Sequence, residues 1–320
     1  MSNGGTDIHQ HLWPERLLGA LAERSRPPLI RRSGAEWVLR IDGEPEHRFS
    51  LADHDPALRV EALDRSGLER AIVSLSGPLG IEGLPAHEAA PLLESFHAGA
   101  LELGPRFGVW GSLPLRSPDP RAVAVLLDRG FVGVTIPAGA LRTREGLARL
   151  YRVLHRLESR GAPLFVHPGP DPLEVDQPRD AGTPVWWPAM TSYIAEMNAA
   201  WHAFAAWGRR SHPRLRVVFA MLAGGAPLHL ERLVARGGPR AAGADPGLFY
   251  DTSSYGERAV DALVRQVGID QVVYGSDRPV VDPPHHAILG PAAAEAMSRT
   301  NVLRLFGSEP RLRARIAVAA

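Results

Sequence analysis

Short apolar runs rich in valine, isoleucine and phenylalanine alternate with longer amphipathic stretches over most of this chain. The runs cover residues 6–9, 71–75, 108–113, 131–136, 164–167, 217–222, 248–252 and 272–276. Continuous apolar runs of this length mark strands buried on both faces, as in parallel sheets. Between them, residues 89–103, 121–129, 144–160, 189–210, 228–236 and 258–267 carry apolar positions at helical spacing. Eight strand–helix repeats predict an α/β protein built as a (β/α)8 TIM barrel. A doubly wound open sheet is the alternative. The lack of a G-x-G-x-x-G after the first run argues against its nucleotide-binding form.

Two stretches break the rhythm. Residues 13–56 are expected to form a long, irregular insertion after the first strand. Inside it, 36–41 and 46–51 alternate around Asp42-Gly43-Glu44-Pro45, which predicts a β-hairpin. Residues 56–67 read as a helix, with Pro56 at the start and Gly67 at the end. After the eighth run, 292–306 predicts a closing helix followed by a tail to residue 320. No internal repeat divides the chain, so residues 1–320 are expected to be one barrel domain.

Composition narrows the function. Apolar residues make up 45% of the 320, enough for a large core, and the net charge of +1 gives no basis for a nucleic-acid partner. No apolar run approaches the roughly 20 residues that cross a bilayer. The first strand begins within about six residues of Met1, too close for a signal peptide, so a cytoplasmic location is expected. Cysteine is absent, which removes disulfides and thiolate metal sites. Lysine is also absent. That excludes Schiff-base chemistry and a carboxylated lysine bridging two metals, so any metal site is expected to be mononuclear.

In a barrel of this kind, chemistry sits at the C-terminal ends of the strands. The first strand ends in His9 and His11, two residues apart, so both imidazoles face one side of an extended segment. The fifth ends in His167 and the eighth in Asp277. Three imidazoles and one carboxylate delivered to one mouth suit a single Zn2+, with a position left open.

The motifs Asp7-Ile8-His9-Gln10-His11, Phe165-Val166-His167-Pro168, Ala223-Gly224-Gly225-Ala226-Pro227 and Tyr274-Gly275-Ser276-Asp277-Arg278-Pro279 resemble those of the amidohydrolase superfamily. The branch they resemble is that of aminocarboxymuconate-semialdehyde decarboxylase. Residues 56–67 are similar to its arginine-bearing helix, and 300–306 to its closing helix. The resemblance implies a distorted barrel, frequently dimeric, holding one divalent metal, zinc foremost and manganese as the alternative. It implies decarboxylation, hydration or hydrolysis of small organic or aromatic acids and related compounds such as lactones. By position it assigns metal ligation to His9, His11, His167 and Asp277. It makes Arg59 a candidate for a substrate carboxylate, Trp186 a pocket residue beside Trp187, and Arg232 a contact to a neighbouring subunit.

Two positions depart from the family. Met221 stands where a histidine after the sixth strand usually serves as general acid/base, and a thioether transfers no proton. Met221 is instead expected to fill space against a substrate. Arg278 replaces an aromatic residue and offers a cation for an anionic substrate. Three outcomes stay open. Asp277 both binds metal and moves the proton, His285, His286 or Asp251 supplies a relay, or the barrel is catalytically silent and binds a metabolite or a protein.

Overall fold

The computed structural model describes residues 4–173, 182–281, 287 and 289–307. Eight parallel strands form the barrel: β1 (Gly5–Gln10), β5 (Leu68–Val73), β6 (Phe107–Gly111), β7 (Gly133–Pro137), β8 (Leu164–His167), β9 (Val217–Phe219), β10 (Leu248–Asp251) and β11 (Val272–Val273). Three backbone hydrogen bonds close the ring between first and last strands. Ile8 N donates to Tyr274 O at 3.0 Å, Asp277 N to His9 O at 2.9 Å, and His11 N to Arg278 O at 2.6 Å. Each of the eight predicted runs contains or overlaps one of these strands.

The insertion is more regular than expected. It holds a helix, Glu15–Glu23, and a three-stranded antiparallel sheet of β2 (Leu29–Ser33), β3 (Glu36–Arg40) and β4 (His47–Phe49). The hairpin is the β3–β4 pair, and β2 extends it. The helix escapes a linear reading because Leu17 and Leu21 alone are fully buried on it. Two predicted helices are interrupted. The 189–210 stretch breaks into Trp187–Met190, Ser192–Ala203, a π turn at Phe204–Gly208 and Arg209–Ser211. The closing helix carries a second π turn at Ala296–Thr300.

The helix Arg144–Ser159 shows how sequence becomes packing. Thr143 caps it by accepting from Gly146 N at 3.0 Å. Leu147, Leu150, Val153, Leu154 and Leu157 then form one buried stripe against the barrel. Inside the ring, Trp110 is fully buried, with its centroid 5.2 Å from Phe165 and 5.3 Å from Phe306. Its Nε1 donates to Ile8 O at 2.9 Å, so the barrel floor braces the strand that carries the first two histidines. Phe165 in turn meets the His9 ring edge-on at 4.9 Å.

Glu82, in the loop after β5, is 2% exposed. Burial pushes its carboxyl up to about 7, opposed only in part by its own backbone and the Ser112 hydroxyl.

Two predictions follow from this packing. Trp110→Ala removes the central ring and leaves a void, so it should lower the unfolding free energy by about 3–5 kcal/mol in denaturant titration. Glu82 binds its proton more tightly folded than unfolded, so it destabilises the fold above the ordinary carboxyl range and increasingly up to about pH 7. Glu82→Gln should therefore raise the melting temperature at pH 8 and leave it nearly unchanged at pH 4. An equal shift at both pH values would contradict the assignment.

Candidate metal centre

The inward side of each strand is read at every second residue, and at the C-terminal rim those positions are histidines and aspartates. His9 and His11 leave β1, His167 ends β8 and Asp277 follows β11. Their ligating atoms converge. His9 Nε2 and His11 Nε2 are 3.2 Å apart, and His167 Nε2 is 3.1 Å from each. Asp277 Oδ1 lies 3.2 Å from His11 Nε2 and 3.5 Å from His9 Nε2. All four residues are buried. Donors so spaced surround one cation at about 2.0–2.1 Å from each.

The second nitrogen of each ring decides what the first can do. His9 Nδ1 bonds Asp251 Oδ2 at 2.7 Å, His11 Nδ1 bonds Ser74 O at 3.0 Å, and His167 Nδ1 bonds Pro168 O at 2.8 Å. All three partners are acceptors, which assigns the ring proton to Nδ1 and leaves a lone pair on each Nε2. Three lone pairs facing one another at 3.1–3.2 Å repel unless a cation lies between them. The residues therefore fit a divalent metal.

Burial and the neighbouring carboxylates pull the cluster in opposite directions. Burial pulls the His9 imidazole down, but Asp251, with Asp277 and Asp7, outweighs it and the net shift is upward. Burial holds His167 well below the ordinary range, reinforced by His9 and His11 and only partly offset by Asp277 and the Pro168 carbonyl. Burial raises Asp277, yet the His11 hydrogen bond and the three imidazoles bring it down to about 2.

Several supporting groups were not marked by the sequence. Asp7 accepts from His9 N at 3.1 Å, Gln10 Nε2 at 2.7 Å and Ser276 N at 3.0 Å, tying the two ends of the ring together. Ser254 Oγ donates to Asp277 Oδ2 at 3.0 Å. Gly275 is required by proximity: a Cβ there would meet His9 Cβ at 2.8 Å and Asp251 Oδ2 at 2.9 Å. The Ser74 acceptor is a backbone carbonyl, which no residue pattern announces.

Met221 follows β9 and is 8% exposed. It opens a left-handed run: Met221, Leu222 and Ala223 have φ of 53°, 50° and 56°, followed by Gly224 and Gly225. This is why the predicted 217–222 strand stops at Phe219. Left-handed backbone costs about 1–2 kcal/mol for each residue with a Cβ. Met221 N is held by Asp251 Oδ1 at 2.9 Å and Ser253 Oγ at 3.1 Å. Asp251 thus grips His9 with one oxygen and the Met221 turn with the other.

The other expected site residues are distributed differently. Arg59 is 6% exposed and donates to Gln10 Oε1, His11 O, Arg278 O and Asp53 O. Its guanidinium braces the backbone behind His11, which is a positioning task. Burial, and Arg278 nearby, lower it to about 10 despite Asp7 and Asp53. Arg278 is half-buried beside Asp277. Trp186 is 58% exposed in the segment after β8, its ring 5.7 Å from that of Trp187. Arg232 is exposed on the helix Leu230–Ala235. His285 and His286 lie outside the described residues.

Fold and site together define a (β/α)8 barrel with a three-histidine, one-aspartate cluster at its mouth. No protein-family model matches the chain, and no curated protein does. Solved structures do. The chain is similar to IDCase of Metarhizium anisopliae in its apo form, at 20% identity, 98% of each chain and a TM-score of 0.78. It is similar to 5-carboxyvanillate decarboxylase from Sphingomonas paucimobilis, at 17% identity, 96% of this chain, 99% of that one and a TM-score of 0.70. It is also similar to a dihydroxybenzoic acid decarboxylase from Polaromonas sp. JS666 with bound manganese and 2-nitroresorcinol. There the identity is 16%, the coverage 97% and 99%, and the TM-score 0.66. Other solved structures similar to the chain are described as amidohydrolases, and the chain shares the barrel fold of all of them.

Asp251→Asn should weaken metal binding about 10–100-fold. The amide cannot accept from both His9 Nδ1 and the Met221–Ser253 donors, so one side meets N–H with N–H. Calorimetric titration of metal into chelator-treated protein measures the loss. An affinity within about twofold of wild type would deny Asp251 its orienting role.

Proposed function

We propose that this protein is a metal-dependent decarboxylase of a small aromatic acid, built on the amidohydrolase barrel. The observation that carries the reading is the convergence of three Nε2 lone pairs and Asp277 Oδ1, with every Nδ1 already committed to an acceptor. The solved structures similar to it, described as decarboxylases of carboxylated or hydroxylated aromatic acids, support the substrate class.

His9, His11, His167 and Asp277 would hold one divalent ion, zinc or manganese. When bound, the ion supplies a Lewis acid that polarises a substrate oxygen. The side chains do the rest. Arg278, half-buried beside Asp277, binds the departing carboxylate. Met221, an apolar buried surface at the strand-six position, packs against the ring and keeps water from it. Trp186 closes the outer side of the pocket. Arg59 holds the His11 and Arg278 backbone in place. Asp277, with the Ser254 hydroxyl on Oδ2, is the proton-transferring group of the cluster, since Met221 cannot be. A ring hydroxyl of the substrate gives its proton to the Asp277 carboxylate, which hands it on to the ring carbon bearing the carboxylate, and solvent later returns a proton to the ring oxygen. The carbon–carboxylate bond then breaks, carbon dioxide leaves and the bonding pair restores the ring.

Hydrolysis is the second reading. It is favoured by the loss of the strand-six histidine and by the aspartate at the cluster, which can accept a proton from water.

Chelation should abolish activity, and manganese or zinc should restore it in wild type but not in His167→Ala. A panel of hydroxylated benzoic acids assayed for carbon dioxide, beside lactones and amides, separates the readings. Met221→His restores a second proton-transfer group and should raise carbon dioxide release by up to about 10²-fold. Hydrolysis with no carbon dioxide from any acid would replace the decarboxylase with a hydrolase. Neither activity, with metal bound at the cluster, would make the barrel a silent binder.

A further inference from the structure

A second group of ligand-type side chains lies at the opposite end of the barrel. The helix Arg144–Ser159 descends from the rim towards the start of β8, and His155 and Glu158 sit in its last turns. His212 ends the segment that descends towards β9. Leu164 and Val217, the first residues of those two strands, are paired partners. The three side chains are therefore brought together below the N-terminal strand ends, where catalytic residues of such barrels are not found.

Their geometry is that of an unfilled contact. Glu158 Oε2 is 4.0 Å from His155 Nδ1 and 4.0 Å from His212 Nδ1. These gaps are too long for hydrogen bonds. Glu158 Oε1 is used by Arg214 N at 2.7 Å, which fixes the carboxylate with Oε2 facing the two rings. His212 is 1% exposed, and its Nδ1 has no hydrogen-bond partner among the described residues. A buried polar atom left unpaired costs about 1–3 kcal/mol, and a ligand there recovers it. His155 is the open side, with 60% of its side chain in solvent.

We propose that His155, Glu158 and His212 form a second divalent-cation site, of zinc type, that staples two neighbouring helical segments across the base of the barrel. Two imidazoles and one carboxylate are a donor set that zinc accepts, with water completing the shell from the His155 side. Bringing each nitrogen and Oε2 onto one ion at about 2.0–2.2 Å requires the 4.0 Å gaps to contract by about half an ångström. The exposed His155 side chain supplies the movement on its own side, and a small turn of the Glu158 carboxylate supplies it towards His212. Burial holds His212 below the ordinary histidine range, with Arg209 and His155 adding to it against Glu158. A neutral ring is the form that binds metal. The site takes no part in the reaction at the mouth. Its effect is on stability, because an ion that binds only the folded chain raises its melting temperature.

The test counts metal and reads heat stability. Chelator-treated wild type, His155→Ala, Glu158→Gln and His167→Ala proteins are equilibrated with zinc, desalted and analysed for zinc per chain. Wild type should retain two equivalents and His155→Ala or Glu158→Gln one. His167→Ala, disabled at the mouth, should keep one and gain in melting temperature with zinc. Adding His155→Ala to His167→Ala should remove both the zinc and the gain. If His167→Ala does not fold, the difference between wild type and the surface variant His155→Ala decides alone. Equal zinc content in wild type, His155→Ala and Glu158→Gln would overturn the site, whatever the mouth cluster binds. So would a zinc-dependent rise in melting temperature that survives His155→Ala in the His167→Ala background.

Discussion

Three imidazole nitrogens without protons, held within 3.2 Å of one another in a buried space, cannot be left to themselves. Their lone pairs repel. The arrangement persists because each ring is fixed from behind, by Asp251, by the Ser74 carbonyl and by the Pro168 carbonyl. Those hydrogen bonds choose the tautomer, and the tautomer makes the cluster a cation site. Much of the rim follows from meeting that demand.

The barrel satisfies it by joining its ends firmly. Asp7 reaches from the first strand to Ser276 N, and the backbone around Asp277 bonds directly to His9 and His11. Arg59 fastens the same junction from outside through three backbone carbonyls. Gly275 is small because a side chain there would displace His9 and Asp251 together. Asp251 has the widest reach of these groups. It orients a candidate ligand and also anchors Met221, the first residue of a turn in which three residues with a Cβ are left-handed. That turn holds roughly 3–6 kcal/mol of backbone strain. The Asp251 and Ser253 hydrogen bonds offset part of it, so the metal cluster and the strained turn stand on one carboxylate.

Met221 changes what such a rim does. A histidine here would bring a proton-transfer group to the rim; methionine brings a buried apolar surface. In the proposed reaction the proton step falls to Asp277, which faces the cluster with one oxygen and Ser254 with the other. At the far end of the barrel, Glu158 and the two histidines use the same kinds of donor under a different constraint. They lie between helices rather than at strand ends, where an ion affects cohesion and not catalysis.

The alternation of apolar runs and amphipathic stretches was enough to read eight strands, their order and the end of the barrel where chemistry belongs. That is because buried parallel strands and amphipathic helices are set by local composition and period. The four cluster residues were legible for the same reason: they terminate strands, and strand ends meet at one mouth. The regular insertion, the π turns and the left-handed run at Met221 were not legible. Each is a local backbone choice made by neighbours distant in sequence, such as Asp251 gripping Met221 N across 30 residues. Arg59 shows the limit most clearly. By residue type it is an anion binder, and only the surrounding carbonyls of Asp53, His11 and Arg278 turn it into a brace. The His155–Glu158–His212 group also needed the fold, since a histidine from another helix joins the pair only when β8 and β9 lie side by side. Sequence determined which side chains were available and which strand ends bore them. Tertiary structure decided their partners, because a hydrogen bond is fixed by distance in space and not by distance along the chain.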